Sequence, residues 1–376
     1  MKRIRQILSI LFALLFLLPA YGAAAESSRP KIVLAEAYGA IVYVETDEEV
    51  SSYCITTKDV VPPDNHPDWR PCEGRSFTAF KMDGSYYIRV RREDGAVSEP
   101  VPVTVSSSFH YGLEAENVKP LNKPIETLLS ENGDSIEAFN AAIAKSAVEG
   151  GLYSRSGVAN VCMTLLTRLA QYGYTLSYQP SGNFTKADNW GISPGWGTKM
   201  NKKEKDKAGT YDRYSMNCGT IIVWAYKQAG LNLNSTARRD GIYDSGLKRR
   251  RGDNNISLDS GDTGDIIATK TGHTILVLDR VDTNDDGLSD SYLVFEMESP
   301  YLKLKLRSLY SIRLCKMYDM SALFADTGAL RKEARFWPGS FYISDAKFPD
   351  YYQDAYSADL PRFAVRQALC GMRDPS

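Results

Sequence analysis

N-C-G-T-I-I-V-W-A-Y-K-Q-A-G (217–230) and, farther along, G-D-I-I-A-T-K-T-G-H-T-I-L-V-L (264–278) decide how this 376-residue chain is read. In the first stretch Ile221, Ile222, Ala225 and Ala229 follow Cys218 at i+3, i+4, i+7 and i+11, one face of a helix that Cys218 opens and Gly230 ends. A thiol at a helix N-terminus is poised to ionise, because free backbone N–H groups and the positive end of the dipole favour the thiolate. The same N–H groups can receive an oxyanion. The second stretch sets His273 just before an apolar strand, Thr274 to Leu278, where a rigid backbone can fix an imidazole. A thiolate nucleophile needs a base. Of the three histidines, His66, His110 and His273, only the last falls in the same region as Cys218. Glu296, in the next β-rich run, is the best-placed carboxylate to orient the ring, with Glu298 in reserve.

Upstream of the thiol, Val158, Val161, Cys162, Leu165, Leu166 and Leu169 recur with helical spacing, and Cys162 reads as a small buried hydrophobe within that stripe. Residues 178–207 are rich in Gly, Asn, Trp and Lys, with Trp190 and Trp196, an irregular segment long enough to be functional. Downstream of His273, Leu302, Leu304 and Leu306 alternate with Lys303 and Lys305 as a half-buried strand. Helices feeding an antiparallel sheet make an α+β domain, expected over residues 151–350 and followed by a tail, 351–376.

Before it, residues 30–107 read as a small β-sandwich: Ala40 to Val44, Tyr86 to Val90 and Val101 to Val105 alternate, and Asp83-Gly84 and Asp94-Gly95 supply hairpin-type turns. Residues 108–150, with an Ala- and Glu-rich run from Ser135 to Ala147, form a helical connector. The first 25 residues carry Lys2, Arg3 and Arg5, an apolar run from Ile7 to Leu18 and a small-residue Ala23-Ala24-Ala25 site, the pattern of a cleaved secretory signal. That run is shorter than the ~20 residues a bilayer requires, and no later segment could span one. Lys plus Arg number 45 against 46 for Asp plus Glu, so no field of one sign is available for nucleic acid. Export permits disulfides among the six cysteines. Proximity suggests Cys54–Cys72 and Cys315–Cys370, with Cys162 and Cys218 free.

The nucleophile stretch resembles that of NlpC-type papain-like cell-wall peptidases, whose usual form is D-C-S-G followed by an apolar helix ending in A-G. G-D-I-I-A-T-K-T-G-H-T-I-L-V-L is similar to that family's histidine segment, and S-Y-L-V-F-E-M-E-S (291–299) occupies the place of its third catalytic strand. The resemblance covers roughly residues 150–300. Asn217 stands for the customary aspartate, Gly219-Thr220 for Ser-Gly, and Glu296 where histidine or another polar residue is more usual. The resemblance implies an exported cysteine peptidase acting on peptidoglycan stem peptides at a γ-D-glutamyl–diamino-acid bond, with Cys218 attacking, His273 shuttling the proton and Glu296 holding the ring. Tyr178, Trp196 and Asn217 are the expected substrate contacts. Related amidases cleave the lactyl–alanine amide instead. The β module resembles immunoglobulin-like and fibronectin-type modules of bacterial surface proteins, which suggests a cell-surface polymer as its partner. A degenerate peptidase used for adhesion is the reading from another class.

One further motif, D-T-N-D-D-G-L-S-D (282–290), follows the first part of a calcium loop. Asp282, Asn284, Asp286, Asp290 and the Leu288 carbonyl would hold a structural calcium between the His273 and Glu296 strands. The chemistry itself needs no cofactor.

Overall fold

In the computed structural model the described residues are 29–72, 74–107, 118–152, 154–178, 215–229, 231, 255–270, 272–321 and 324. The expected signal segment, Trp196, Cys370 and the tail lie outside them.

Short runs rich in β-branched and aromatic residues favour strands. The N-terminal part forms seven: β1 (Ile32–Tyr38), β2 (Ile41–Thr46), β3 (Ser52–Thr56), β4 (Arg70–Pro71), β5 (Ser76–Phe80), β6 (Gly84–Arg91) and β7 (Val101–Val105). They make two antiparallel sheets, β1-β2-β5 and β4-β3-β6-β7, closed over Val42, Val44, Tyr53, Phe77, Ile88, Val90 and Val103. The Asp94-Gly95 turn forms as expected, with Gly95 at φ +90° and its N–H on Arg92 O. Asp83-Gly84 does not make a hairpin, because β5 and β6 belong to different sheets. It is a corner where the chain crosses the sandwich, pinned by the buried Tyr86 hydroxyl on Met82 O at 2.9 Å, the tyrosine-corner device of such sandwiches.

Cys54 and Cys72 are separate thiols, contrary to the expected pairing. Register explains it. Tyr53 faces Arg70 and Ser52 faces Pro71 across β3 and β4, so Cys54 points with Ser52 to the outer side, while Cys72 packs on the sandwich interior. Cys54 is fully buried, and burial pushes its thiol up to about 12.

The expected connector is part of the main core. After β8 (Lys119–Pro120), helices α1 (Ile125–Glu131) and α2 (Ile136–Glu149) bury Ile125, Leu128, Leu129, Phe139, Ile143 and Ala147 against α3 (Arg155–Ala170). Ser135 and Ser154 cap α2 and α3 through their hydroxyls. The break at Gly150-Gly151 lets α2 and α3 approach closely, since a Cβ on Gly157 would stand 2.2 Å from Gly151 O.

The remaining elements are β9 (Tyr174–Thr175), β10 (Ser177–Tyr178), β11 (Ser215–Met216), α4 (Cys218–Gln228), β12 (Asn255–Ile256), β13 (Ile266–Ala268), β14 (Thr274–Val281), β15 (Ser291–Glu298), β16 (Tyr301–Ser308) and β17 (Lys316–Tyr318). Eight strands form one sheet in the order β11-β10-β16-β15-β14-β13-β17-β12. It is antiparallel except for the β10–β11 pair. Leu276, Leu278, Leu293, Phe295, Leu302 and Leu304 face α3 and α4. Ile275, Val277, Tyr292 and Val294 form a second apolar layer with Ile312 and Met317 on the opposite face. The fold is thus α+β, with a mostly antiparallel sheet between two apolar layers. Among the described residues no helix is long and apolar enough to cross a membrane.

The sandwich is joined to this sheet by ion pairs with little access to water. Lys81 Nζ lies 2.8 Å from Asp279 Oδ1, Arg70 Nη2 2.7 Å from Asp262 Oδ1, and Arg280 Nε 2.9 Å from Asp68 Oδ1. Asp68 Oδ2 also accepts the Ser289 N–H at 2.8 Å. β14 and the turn that follows it are therefore held from outside the sheet.

Candidate active site

Helix α4 begins at Cys218 because Asn217 caps it: the Asn217 carbonyl accepts the Ile221 N–H at 3.2 Å, and its Oδ1 accepts the Gly219 N–H at 3.1 Å. The role the structure gives Asn217 is to fix where the helix starts. Apolar residues behind the thiol, Ile221, Ile222, Trp224 and Ala225, anchor the helix in the core and aim its N-terminus at the start of β14.

There Cys218 meets His273. The half-buried thiol is hydrogen-bonded to the imidazole and to backbone groups of Thr274 and Gly219. His273 is held by its own turn, its N–H on Thr269 Oγ1 at 3.0 Å and its carbonyl on Thr269 N at 2.9 Å. Its Nε2 lies 2.8 Å from Glu296 Oε1, which leaves Nδ1 to face the thiol. Residue parity explains why His273 reaches Glu296. β14 and β15 pair with Leu276 opposite Phe295, so His273 and Glu296 fall on the face away from the helices, and Glu296 continues the row of Tyr292 and Val294.

Glu296 is completely buried, and Arg307 on β16 completes its environment. Arg307 Nη2 lies 2.7 Å from both Glu296 oxygens, and its Nε lies 3.0 Å from Oε2. The reserve carboxylate, Glu298, is instead half-exposed and paired with Lys305 and Lys303.

The electrostatics follow from these contacts. Burial would raise the Glu296 carboxyl, but its hydrogen bonds from His273 and Arg307 hold it down at about 2. Burial alone would lower the imidazole, yet Cys218 and Glu296 bring His273 up to about 9. Burial raises the Cys218 thiol, and the His273 ring with the Thr274 and Gly219 amides more than reverses this, leaving it below an ordinary cysteine. The arrangement favours a thiolate–imidazolium pair backed by a carboxylate, the form in which a cysteine attacks carbonyl carbon. Cys162 is the opposite case, fully buried with its thiol raised well above the ordinary value by burial.

Tyr178 lies beside this site: β10 pairs in parallel with β11, Tyr178 opposite Met216, two residues ahead of Cys218. Trp196 lies outside the described residues. The aspartate of the G-D segment, Asp265, is a fastener. Its carboxylate accepts Arg155 Nη1 from α3, the Met320 N–H and the Asp262 N–H.

The 282–290 turn joins β14 to β15, as its place in the sequence implies. Its oxygens are turned onto local donors. Asp282 Oδ2 accepts the Gly287 N–H and the Thr57 hydroxyl, Asn284 Oδ1 the Asp286 N–H, Asp286 Oδ1 the Leu288 N–H, and Asp290 the Thr283 hydroxyl. Among the described residues no group of three or more His, Cys, Asp or Glu is arranged to hold a metal ion. Lys58 of the sandwich also pairs with Asp285 at 3.1 Å, so this turn serves as a bracket onto the β module.

Arg307 is the residue that sequence reasoning missed. No protein-family model matches the chain, and no curated protein matches it.

Proposed function

We propose that the chain is an exported cysteine peptidase of NlpC type that hydrolyses amide bonds in peptidoglycan stem peptides, at the γ-D-glutamyl–diamino-acid linkage. The observation that carries the reading is the continuous hydrogen-bonded chain Cys218–His273–Glu296 at the capped start of a helix packed on the sheet. The Cys218 thiolate attacks the amide carbonyl carbon and pushes its electrons onto the oxygen, which the backbone N–H of Cys218 stabilises. His273 then gives its proton to the leaving amine. Water, deprotonated by the now neutral imidazole, attacks the thioester, releases the acid product and restores the thiol. Glu296 keeps the ring oriented and stabilises the imidazolium throughout.

The test is digestion of purified cell-wall sacculi, with the products read by mass spectrometry, for wild type, Cys218→Ala and His273→Ala. Wild type is expected to release fragments cut at the γ-D-glutamyl bond, and each variant to fall to background while remaining folded. Because the pair acts as a unit, the double variant should lose no more than either single. Turnover by Cys218→Ala, or no cleavage of stem peptides by wild type, would overturn the proposal. Fragments cut at the lactyl–alanine bond would make the protein an amidase with the same machinery.

A further inference from the structure

We propose that Arg307 is a positioning residue of the Cys218 site: its guanidinium fork fixes the plane of the Glu296 carboxylate and supplies the second cation of a charge-neutral chain, keeping the imidazole turned toward the thiol. This rests on the reading of Cys218 as nucleophile.

The geometry is specific. Glu296 Oε1 is shared, accepting from His273 Nε2 at 2.8 Å and Arg307 Nη2 at 2.7 Å, while Oε2 accepts Nη2 and Nε of the same guanidinium at 2.7 and 3.0 Å. Two parallel donors on one carboxylate stop its rotation, which a single donor cannot do. The carboxylate therefore presents Oε1 to the ring in one orientation, and the ring presents its other nitrogen to Cys218.

Charge counting gives the second part. In the reactive form Cys218 and Glu296 are anions, and His273 and Arg307 are cations. Of the other charged or titratable groups around Glu296, Lys305 and Lys303 share the half-exposed Glu298, with Lys305 also lowering the Glu296 carboxyl from a distance, and the half-buried Cys315, whose thiol burial raises, lies within electrostatic reach of Arg307 and Glu296. Without Arg307, the two anions would keep only one cation in direct contact, His273, around a fully buried carboxylate. Such a cluster regains neutrality by taking up a proton. If the proton goes to sulfur, the nucleophile is lost; if it goes to Glu296, the imidazole loses its acceptor. A lysine at the position restores the charge but not the fork.

The experiment measures iodoacetamide alkylation of Cys218 against pH, by mass spectrometry of its peptide, in wild type, Arg307→Met and Arg307→Lys, alongside kcat and KM. In wild type the thiol should titrate well below the about 8.5 of an ordinary cysteine. In Arg307→Met that inflection should rise by about one unit. Its kcat should fall by about 10–100-fold, the scale for losing an imidazole's orienting partner, with KM little changed. Arg307→Lys should recover the inflection but only part of kcat. A residue that merely stabilised the fold would shift melting temperature and leave the inflection in place. An unmoved inflection in Arg307→Met therefore overturns the proposal even if activity drops. A wild-type inflection near 8.5 would instead defeat the nucleophile reading itself, and because alkylation needs no peptide substrate the two failures are distinguishable.

Discussion

Replacing Lys81 by methionine keeps the aliphatic stem and removes the charge that faces Asp279 at 2.8 Å between the sandwich and β14. Asp279 is 3% exposed, and its Oδ2 has no hydrogen-bond partner among the described residues. The ammonium is therefore its main compensation beyond the backbone amides of Arg280 and Met82. Removing one partner of a buried pair costs about 3–5 kcal/mol, because the other charge is left in a low-dielectric setting. With an unfolding entropy of about 2.1 cal/mol/K per residue, a chain of 376 residues loses about 1.3 °C per kcal/mol, so the melting temperature should drop by about 4–6 °C at pH 7.5. The sign with pH follows from Asp279 itself. Burial already raises its carboxyl above the ordinary range, against Lys81. A group whose folded value is raised stabilises the fold only in its protonated form, so the deficit of Lys81→Met must shrink as pH falls through that raised value. Differential scanning calorimetry at pH 7.5 and 5.0 on wild type, Lys81→Met, Asp279→Asn and the double variant measures this. The double variant, with no charge left to strand, should recover to within about 1 kcal/mol of wild type. A Lys81→Met melt within 1 °C of wild type at both pH values, or a double variant worse than Lys81→Met, would refute the reasoning.

The carboxylate of the triad gives a second expectation. Glu296→Gln removes an anion that helps raise His273 to about 9, so the alkaline limb of the rate profile should move to lower pH; an unchanged limb would show that Cys218 alone sets it. Glu296 is lowered to about 2 from 4.5, so its stabilisation is complete above pH 4.5 and should vanish between there and about 2 in acid melts, a loss absent from Glu296→Gln. Peptide mapping without reductant should recover Cys54 and Cys72 unbridged; a disulfide between them would require β3 or β4 to turn over. For the 282–290 turn, melts in millimolar calcium and in chelator decide the calcium expectation: a rise of a few degrees with calcium, lost in Asp282→Ala, is the outcome a structural ion requires, and coinciding curves would leave the turn a polar bracket held by its own donors.

Much of the site's frame is legible in the amino-acid sequence. Helical spacing behind Cys218 and the apolar run after His273 are local signals, and local signals survive folding whenever a core exists to receive them. Arg307 carries no such signal. It continues the polar side of an alternating strand with Lys303 and Lys305, which reads as facing water. In the fold that side shares the sheet face of Tyr292, Val294 and Glu296, so Arg307, opposite Tyr292, is half-buried and reaches along the row to Glu296. The helices of residues 118–152 are likewise legible as helices, but nothing local says that Leu128 or Phe139 joins the core of the larger domain. Cys54 and Cys72 look like partners because they are close in sequence, yet facing depends on strand parity, which one extra residue reverses.

The joint between sandwich and sheet also constrains how such a chain can change over generations. Its three pairs are not all of one polarity, the sandwich contributing two cations, Lys81 and Arg70, and one anion, Asp68, to meet Asp279, Asp262 and Arg280. A β module borrowed by recombination from an unrelated protein would have to bring all three charges in register or strand their partners. The two halves, about 200 residues apart in sequence at these contacts, are therefore expected to be inherited together, and a mosaic assembled from unrelated parents to fail at folding before its activity could be selected.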